Sequence, residues 1–286
     1  MDNEEFQPRR SFIFMPGVSP DMFPKALATG ADIVCIDLED AIAPNHKQDA
    51  RERTMKLFET PQAKDGVERI VRINCLRTAD GMADVQAAVS AVTAPPALML
   101  PKVVSPDEVK ALDELLTEHD MLTRLHVIIE TNAGLEAAYD IAQSSGRIDA
   151  MFFGGVDMAA ELRAANKWET LLYARSRVVH AAAGAGLDVI DVPYLDLDDM
   201  EGMEREAQLA EELGFTGKGS IHPKQIAPLN AIFSPSEEAV AHARRVIAAF
   251  EEGDSGLVVL DNKLIEKPVL RTMYRTVRVA EKIAAG

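Results

Sequence analysis

The sequence predicts an α/β fold, a TIM (β/α)8 barrel followed by a C-terminal helical lid, and three observations carry that reading. Short apolar runs alternate with longer amphipathic stretches almost from end to end. There are about eight such units, the number that closes a barrel of this kind. Polar or ionisable residues end nearly every run, whereas the run interiors are apolar.

In chain order the strand-like runs are residues 11–15, 33–38, 70–74, 97–101, 125–130, 150–154, 188–192 and 218–222. Each is rich in Val, Ile, Leu, Phe or Met and is followed by a turn or capping signal, such as Ser19-Pro20 or Ser105-Pro106. Helical patterns lie between them, for example over 50–58, 107–116, 135–142 and 203–213. Alternating β and α units imply a parallel sheet with right-handed crossovers. An open, doubly wound sheet is the structural alternative. Past the last strand the pattern changes to two helices, one over 236–251, then the turn-like stretch 253–256, a short apolar run and a terminal helix from Pro268. We therefore divide the chain into a catalytic barrel, 1–234, and a helical extension, 235–286, that reads as a lid or an oligomerisation element.

Composition agrees with this architecture. Of the 286 residues, 47% are apolar and only 5% aromatic, which suits a helix-covered parallel sheet better than an antiparallel sandwich. The formal net charge of −16 argues against nucleic acid or an anionic membrane as partner. An anionic substrate would then need a local basic pocket. No apolar run approaches the roughly 20 residues that cross a bilayer. The first ten residues lack the apolar core of a signal peptide. Cys35 and Cys75, the only two cysteines, sit in or beside apolar runs without metal-site spacing. They read as buried free thiols in a reducing cytoplasm.

Active sites of such barrels lie at the C-terminal ends of the strands. The residues found there are Gly17, Glu39 with Asp40, Arg72 with Asn74, Lys102, Glu130, Asp157, Asp191 and His222. So many carboxylates crowded against Arg72 and Lys102 call for a cation or a substrate among them, because buried like charges are costly. Glu130 and Asp157 end adjacent predicted strands. With waters and substrate oxygens they would complete the hard-oxygen octahedron that Mg²⁺ prefers. The alternative is that each caps the helix that follows it. Arg72, inside a strand-like run, reads as a fork for a carboxylate or enolate oxygen, or as an internal ion pair with Glu39 or Asp40. Asp37 lies within its run and would point into the barrel, while Glu39 and Asp40 would hold metal-bound waters or orient Arg72. His222 is a base, a substrate donor or a histidine bonded to backbone. No Walker-type loop, dinucleotide fingerprint or nucleophile elbow occurs, and Gly154-Gly155 would let a ligand approach the backbone.

Segments spread over nearly the whole chain form a familiar series. They include Met15-Pro16-Gly17, Phe23-Pro24-Lys25-Ala26, Asp37-Leu38-Glu39-Asp40-Ala41-Ile42-Ala43-Pro44, Val71-Arg72-Ile73-Asn74 and Leu100-Pro101-Lys102-Val103. Ile129-Glu130-Thr131, Phe153-Gly154-Gly155-Val156-Asp157, Leu171-Leu172-Tyr173-Ala174-Arg175-Ser176 and Gly217-Lys218-Gly219-Ser220-Ile221-His222-Pro223 follow in order. The chain thereby resembles the HpcH/HpaI aldolase and citrate lyase β-subunit family, in particular its malyl-CoA and citramalyl-CoA lyase branch. The resemblance implies a TIM barrel in a homotrimer or homohexamer, with Mg²⁺, or Mn²⁺ in its place, on Glu130 and Asp157. It implies that Arg72 grips the oxo or hydroxy acid and that coenzyme A lies along the barrel mouth near Phe23 and Lys25, with Lys102 and Gly155 as further substrate contacts.

The lid of these relatives carries an aspartate that reaches a neighbouring subunit's site. Here Lys263-Leu264-Ile265-Glu266-Lys267-Pro268 places Glu266 there instead. The implied reaction is carbon–carbon cleavage of an acyl-CoA to acetyl-CoA and a 2-oxo acid, with Arg72, Glu266, Glu39 and Asp40 as catalytic residues. Rival readings are a malyl-CoA thioesterase on the same site, a CoA-independent 2-oxo acid aldolase and a citrate-lyase-like subunit.

Overall fold

Eight parallel strands close on themselves in the order of the chain, β1 pairing with β2 and onward until β8 returns to β1. They are β1 Ser11–Pro16, β2 Ile33–Asp37, β3 Glu68–Arg72, β4 Ala97–Leu100, β5 Arg124–Ile129, β6 Ile148–Phe153, β7 Asp188–Asp191 and β8 Gly217–Ser220. This computed structural model describes residues 7–60, 66–252, 257–261, 263–267 and 269–285. The helices between strands are α1 Phe23–Leu27, α2 Lys47–Leu57, α3 Ala79–Val89, α4 Pro106–Glu118, α5 Asn132–Glu136, α6 Ala138–Ala142, α7 Gly155–Leu162, α8 Trp168–Ala185 and α9 Met200–Leu213. After β8 come α10 Ile226–Ile232 and α11 Glu237–Glu252, then β9 Leu257–Leu260, β10 Lys263–Glu266 and α12 Val269–Ala285. Two compact units result, one over Arg9–Asn230 and one from Ala231 onward.

Local chemistry sets the helix ends. Thr78, Thr131 and Asp199 each accept a hydrogen bond from the backbone N–H three residues on, at Gly81, Gly134 and Gly202. Pro106 opens α4, where its missing N–H has no intrahelical partner to lose. Gly186 and Gly214 close α8 and α9 at φ 73° and 111°, values a side chain would resist.

The eight expected runs all fall on strands of the barrel. The single helix expected over 135–142 is instead α5 and α6, broken at Ala137 (ψ 0°), because α5 starts early from the Thr131 cap. The short apolar run of the tail is one arm of an antiparallel hairpin, β9 with β10, in the unit that also contains α11 and α12. The turn signals at 253–256 and Pro268, and the first six residues, lie outside the described residues.

Side chains alternate along each strand, so residues two apart share a face. The inward set Phe12, Ile33, Cys35, Ile70, Ala97, Met99, Ile128, Ala150, Phe152 and Ile190 forms an apolar core. Two residues earlier on β3, β5 and β7 stand Glu68, His126 and Asp188, at the N-terminal end of the barrel. Here Arg9 acts as a plug: Nε donates to Glu68 at 2.7 Å and Nη1 to Asp188 at 2.9 Å, and Nη2 lies 3.3 Å from Asp149. Arg124 also pairs with Asp149, and His126 Nε2 meets Glu68 at 2.7 Å.

Burial alone would raise the Glu68 carboxyl, but His126 and Arg9 outweigh it and bring it down to about 2. A lowered carboxylate stabilises the fold fully above its ordinary value of 4.5 and progressively less as pH falls toward 2. Replacing Arg9 leaves Glu68, Asp149 and Asp188 without their shared partner. We expect Arg9→Met to cost about 3–5 kcal/mol in urea unfolding at pH 7. A loss under about 1 kcal/mol would show that the plug is only a surface ion pair.

Candidate active site at the barrel mouth

The same alternation, continued two residues past the apolar core, brings Asp37 after Cys35, Arg72 after Ile70 and Glu130 after Ile128 to the C-terminal mouth. Asp37 and Arg72 are register partners across β2 and β3. The guanidinium forks onto the carboxylate with Nε and Nη2 each at 2.7 Å, and lies over the Phe14 ring at 4.5 Å. Nη1 stands 3.0 Å from Glu39 Oε2, which is buried and lacks a partner of hydrogen-bond geometry. Burial works against the Arg72 cation, and Asp37 and Glu39 more than restore it. The principal ion-pair partner of Arg72 is therefore Asp37, seconded by Glu39. Asp40, the other partner considered, is exposed and its nearest cation is Lys102 at 3.5 Å.

Asp37 also shapes the loop beyond it, accepting from the backbone N–H of Glu39 at 2.9 Å and of Ala41 at 3.0 Å. The loop is held from outside by groups that sequence reasoning missed. Lys47 Nζ donates to the carbonyls of Leu38 and Glu39 and to Asn74 Oδ1, at 2.8, 2.6 and 2.7 Å. Asn74 donates in turn to Asp84, which pairs with Arg51 at 2.6 Å. Lys47 sits on α2 and Asp84 on α3, far from any strand end, so no periodicity marks them.

Glu130 is buried at the end of β5, and Oε1 accepts from the backbone N–H of Lys102 at 2.8 Å. Oε2 faces Gly154, where an added Cβ would lie only 2.4 Å away. Gly154 is therefore glycine because the carboxylate occupies its side-chain space. Asp157 follows on the first turn of α7 and is half-buried. Burial first, then the charges of Asp157 and Glu39, push the Glu130 carboxyl up to about 8. Burial likewise raises Glu39. Lys102 bridges Glu39 and Asp40, which hold its ammonium charged against burial.

Asp37, Glu39 and Asp40 thus pair with Arg72 and Lys102, while among the described residues Glu130 and Asp157 have no ion-pair partner of their own. This all-oxygen set in excess negative charge fits a divalent hard cation. A second candidate, Glu68, His126 and Asp149, brings ligand atoms within 4.8 Å of one another at the opposite end. Its charge is already answered by Arg9, and its glutamate is lowered rather than raised. Of the two clusters, the mouth therefore carries the less compensated negative charge.

Other expected site residues are placed differently. Asp191 is withdrawn from the mouth ring, fully paired with Arg175 at 2.9 Å and Lys218 at 2.6 Å in a buried cluster with Glu206. Asn74 is likewise turned to Asp84. His222 is exposed, and Nδ1 accepts from the backbone of Lys224 at 3.1 Å, the backbone-bonded outcome. Phe23 is buried edge-on to Phe58, whereas Lys25 is exposed. Gly155 opens α7, and a Cβ there would press on Val192 at 3.0 Å. Glu266 ends β10 in the C-terminal unit and is exposed. Both cysteines are free, Cys35 inside the barrel wall. Among the described residues no helix is long and apolar enough to cross a membrane.

A closed (β/α)8 barrel with an acidic, arginine-anchored mouth has the architecture of an enzyme whose active site lies at the strand ends. Comparison with known proteins sharpens this. The HpcH/HpaI aldolase/citrate lyase family model matches residues 10–223. The chain is 32% identical to the mitochondrial citramalyl-CoA lyase of Rattus norvegicus, over 99% of this chain and 89% of that protein. It is 34% identical to the (3S)-malyl-CoA thioesterase of Cereibacter sphaeroides, over 97% and 96%. The structure of CitE from Mycobacterium tuberculosis, solved with magnesium, acetoacetate and coenzyme A, superposes with a TM-score of 0.78 at 31% identity, covering 97% of this chain and 99% of that one. The chain belongs to the HpcH/HpaI aldolase/citrate lyase family and is an enzyme of its CitE-like acyl-CoA lyase group, the oxo-acid lyases.

The raised Glu130 makes a signed prediction. Between its ordinary value of 4.5 and about 8 the folded protein holds a proton that the unfolded chain has released. Stability of the metal-free protein should therefore fall as pH rises through that window, by up to about 1.4 kcal/mol per pH unit. Glu130→Gln should flatten this limb, as should saturating Mn²⁺. An unchanged slope in the variant, read by urea unfolding from pH 5 to 8, would assign the limb to other groups.

Proposed function

We propose that this chain is a Mg²⁺-dependent carbon–carbon lyase that cleaves, or in reverse forms, a 3-hydroxy-carboxylic acyl-CoA such as malyl-CoA or citramalyl-CoA. The products are acetyl-CoA or a homologue and a 2-oxo acid. The observation that carries this reading is the uncompensated carboxylate pair Glu130 and Asp157 beside a guanidinium fixed by Asp37. The solved relative holding magnesium, acetoacetate and coenzyme A supports it.

Glu130 and Asp157 would hold the cation, Mg²⁺ or Mn²⁺. Once bound, it would supply Lewis-acid polarisation of the oxygen on the carbon that becomes the carbonyl. Arg72 has five N–H groups and donates two of them to Asp37, so N–H groups remain on Nη1 and Nη2 for the substrate carboxylate. Glu39 keeps that guanidinium in place, and Lys102 keeps Glu39 in place. Asp40, exposed beside Lys102, orders water at the rim. Lys25 offers an exposed ammonium to the phosphates of coenzyme A, with Phe23 anchoring α1 beneath it and Gly155 admitting the ligand to the backbone.

In the cleavage direction the substrate hydroxyl gives its proton to solvent water at the rim and the carbon–carbon bond breaks. The electron pair stays on the thioester α-carbon, which then takes a proton. We assign delivery of that proton to Glu266 on the C-terminal hairpin of a neighbouring subunit, in a homotrimer or homohexamer in the cytoplasm.

A second reading is favoured by one observation, the 34% identity to a (3S)-malyl-CoA thioesterase. There water replaces the departing carbon, releasing malate and free CoA. Malyl-, methylmalyl- and citramalyl-CoA incubated with the purified chain and Mg²⁺ separate the two, with thiol and 2-oxo acid assayed independently. We expect 2-oxo acid with little free thiol. Free thiol without 2-oxo acid would decide for the thioesterase. Glu266→Gln should lower kcat about 10²-fold, the range of a positioned acid or base, while Mn²⁺ affinity stays unchanged. Undiminished turnover in this variant would remove Glu266 from the reaction.

A further inference from the structure

Four non-glycine residues among those described have a left-handed backbone. Three have ordinary local reasons. Asp120 and Arg163 follow helices α4 and α7, where chains commonly turn through this region, and Asp261 joins the arms of the β9–β10 hairpin. Lys102, at φ 55°, closes no helix and no hairpin. It lies two residues past β4, in the mouth. A non-glycine residue held there costs energy and persists only where its surroundings fix it, most often at functional sites.

The surroundings of Lys102 fix it on three sides. Its N–H donates to Glu130 Oε1 at 2.8 Å, and its carbonyl accepts from Arg77 Nη2 at 2.9 Å. Its ammonium pairs with Glu39. The following residue, Val103, is fully buried, and its carbonyl lies where a Cβ on Gly134 would be, 2.3 Å away. The consequence falls on Glu130. One oxygen is taken by the Lys102 N–H, and the other lies against the side-chain space that Gly154 leaves empty. With Val103 pinned in the interior, an extended Lys102 would be accommodated only by tilting the Pro101–Lys102 peptide that carries this N–H, and the carboxylate would be free to rotate.

We propose that Lys102 is a positioning residue whose left-handed backbone, through its own N–H on Oε1, orients Glu130 so that Oε2 is the oxygen presented to the divalent cation. This rests on the assignment of Glu130 as a cation ligand. The backbone and not the ammonium is the active part, which gives the proposal a clean test.

Lys102→Gly, Lys102→Asn, Lys102→Ala and Lys102→Val all remove the ammonium and differ in how readily they accept φ near +55°. Glycine and asparagine accept it, alanine resists and valine resists most. Mn²⁺ binding to each metal-free protein is measured by electron paramagnetic resonance, with no substrate and no turnover. We expect Gly and Asn to agree within about threefold and Val to bind about tenfold or more weakly, with Ala between. If Val does not fold, the Ala variant against the Gly and Asn variants carries the comparison. Equal affinities across the series, with the native chain binding Mn²⁺, would overturn the positioning role and leave the ligand assignment standing. A native chain that binds no Mn²⁺, or a Glu130→Gln variant that binds it as well as native, would overturn the ligand assignment and this proposal with it.

Discussion

Charge balance across the two ends of one apolar barrel is the constraint on which the remaining features depend. β3 reads Glu68, Ile70, Arg72 and β5 reads His126, Ile128, Glu130 along their inward faces, a polar layer, an apolar layer and a polar layer in each. At the N-terminal end Arg9 and Arg124 answer Glu68, Asp149 and Asp188, and the carboxyl of Glu68 is lowered. At the mouth Arg72 and Lys102 face Asp37, Glu39, Glu130 and Asp157, and the carboxyl of Glu130 is raised. The layers are chemically alike, but the acidic excess is larger at the mouth, and the buried glutamate is shifted in opposite directions at the two ends. One is a closed structural plug; the other is short of positive charge. Since stabilisation of developing charge is the main service a preorganised site provides, the unbalanced end is where chemistry belongs.

The mouth is held rigid by residues that touch no reacting atom. Arg51, Asp84, Asn74 and Lys47 form a continuous chain from α2 and α3 into the carbonyls of Leu38 and Glu39, fixing the loop that carries the acidic cluster. Asp191, Arg175, Lys218 and Glu206 form a second buried cluster on the far side, with Arg175 between the rings of Phe153 and Trp168 at 5.0 and 4.6 Å. Such clusters leave few groups at the mouth free to relax, so that Arg72 and Glu130 are held in fixed positions.

Much of this was legible in the sequence because strand ends and alternation are written locally. The eight runs and the strand-end position of Glu130 follow from short apolar stretches closed by turn and capping signals, and the inward direction of Asp37 from its place within its run. What escaped depends on the third dimension. Asp191 ends its strand like the others, but one residue past inward Ile190 it faces the helices, where Arg175 on α8 and Lys218 on β8 pair with it, and neither partner is near it in sequence. Lys47 and Asp84 look like ordinary helix-surface charges until α2 and α3 pack beside β2 and β3. The hairpin of the tail was hidden because its second arm, 263–266, is only four residues long, with Leu264-Ile265 between two charged ends, too brief to signal a strand. Lys102 was visible as a strand-end cation, but its left-handed backbone has no sequence mark, since glycine or asparagine would be the expected tenant.

Barrels of this kind host many reactions, so fold alone would not choose among them. The account stands on where a divalent cation binds. Crystals grown with Mn²⁺ and measured near the manganese absorption edge give that position directly. The account predicts an anomalous peak between the carboxylates of Glu130 and Asp157 at the mouth. A peak at Glu68, His126 and Asp149 instead, with none at the mouth, would contradict it.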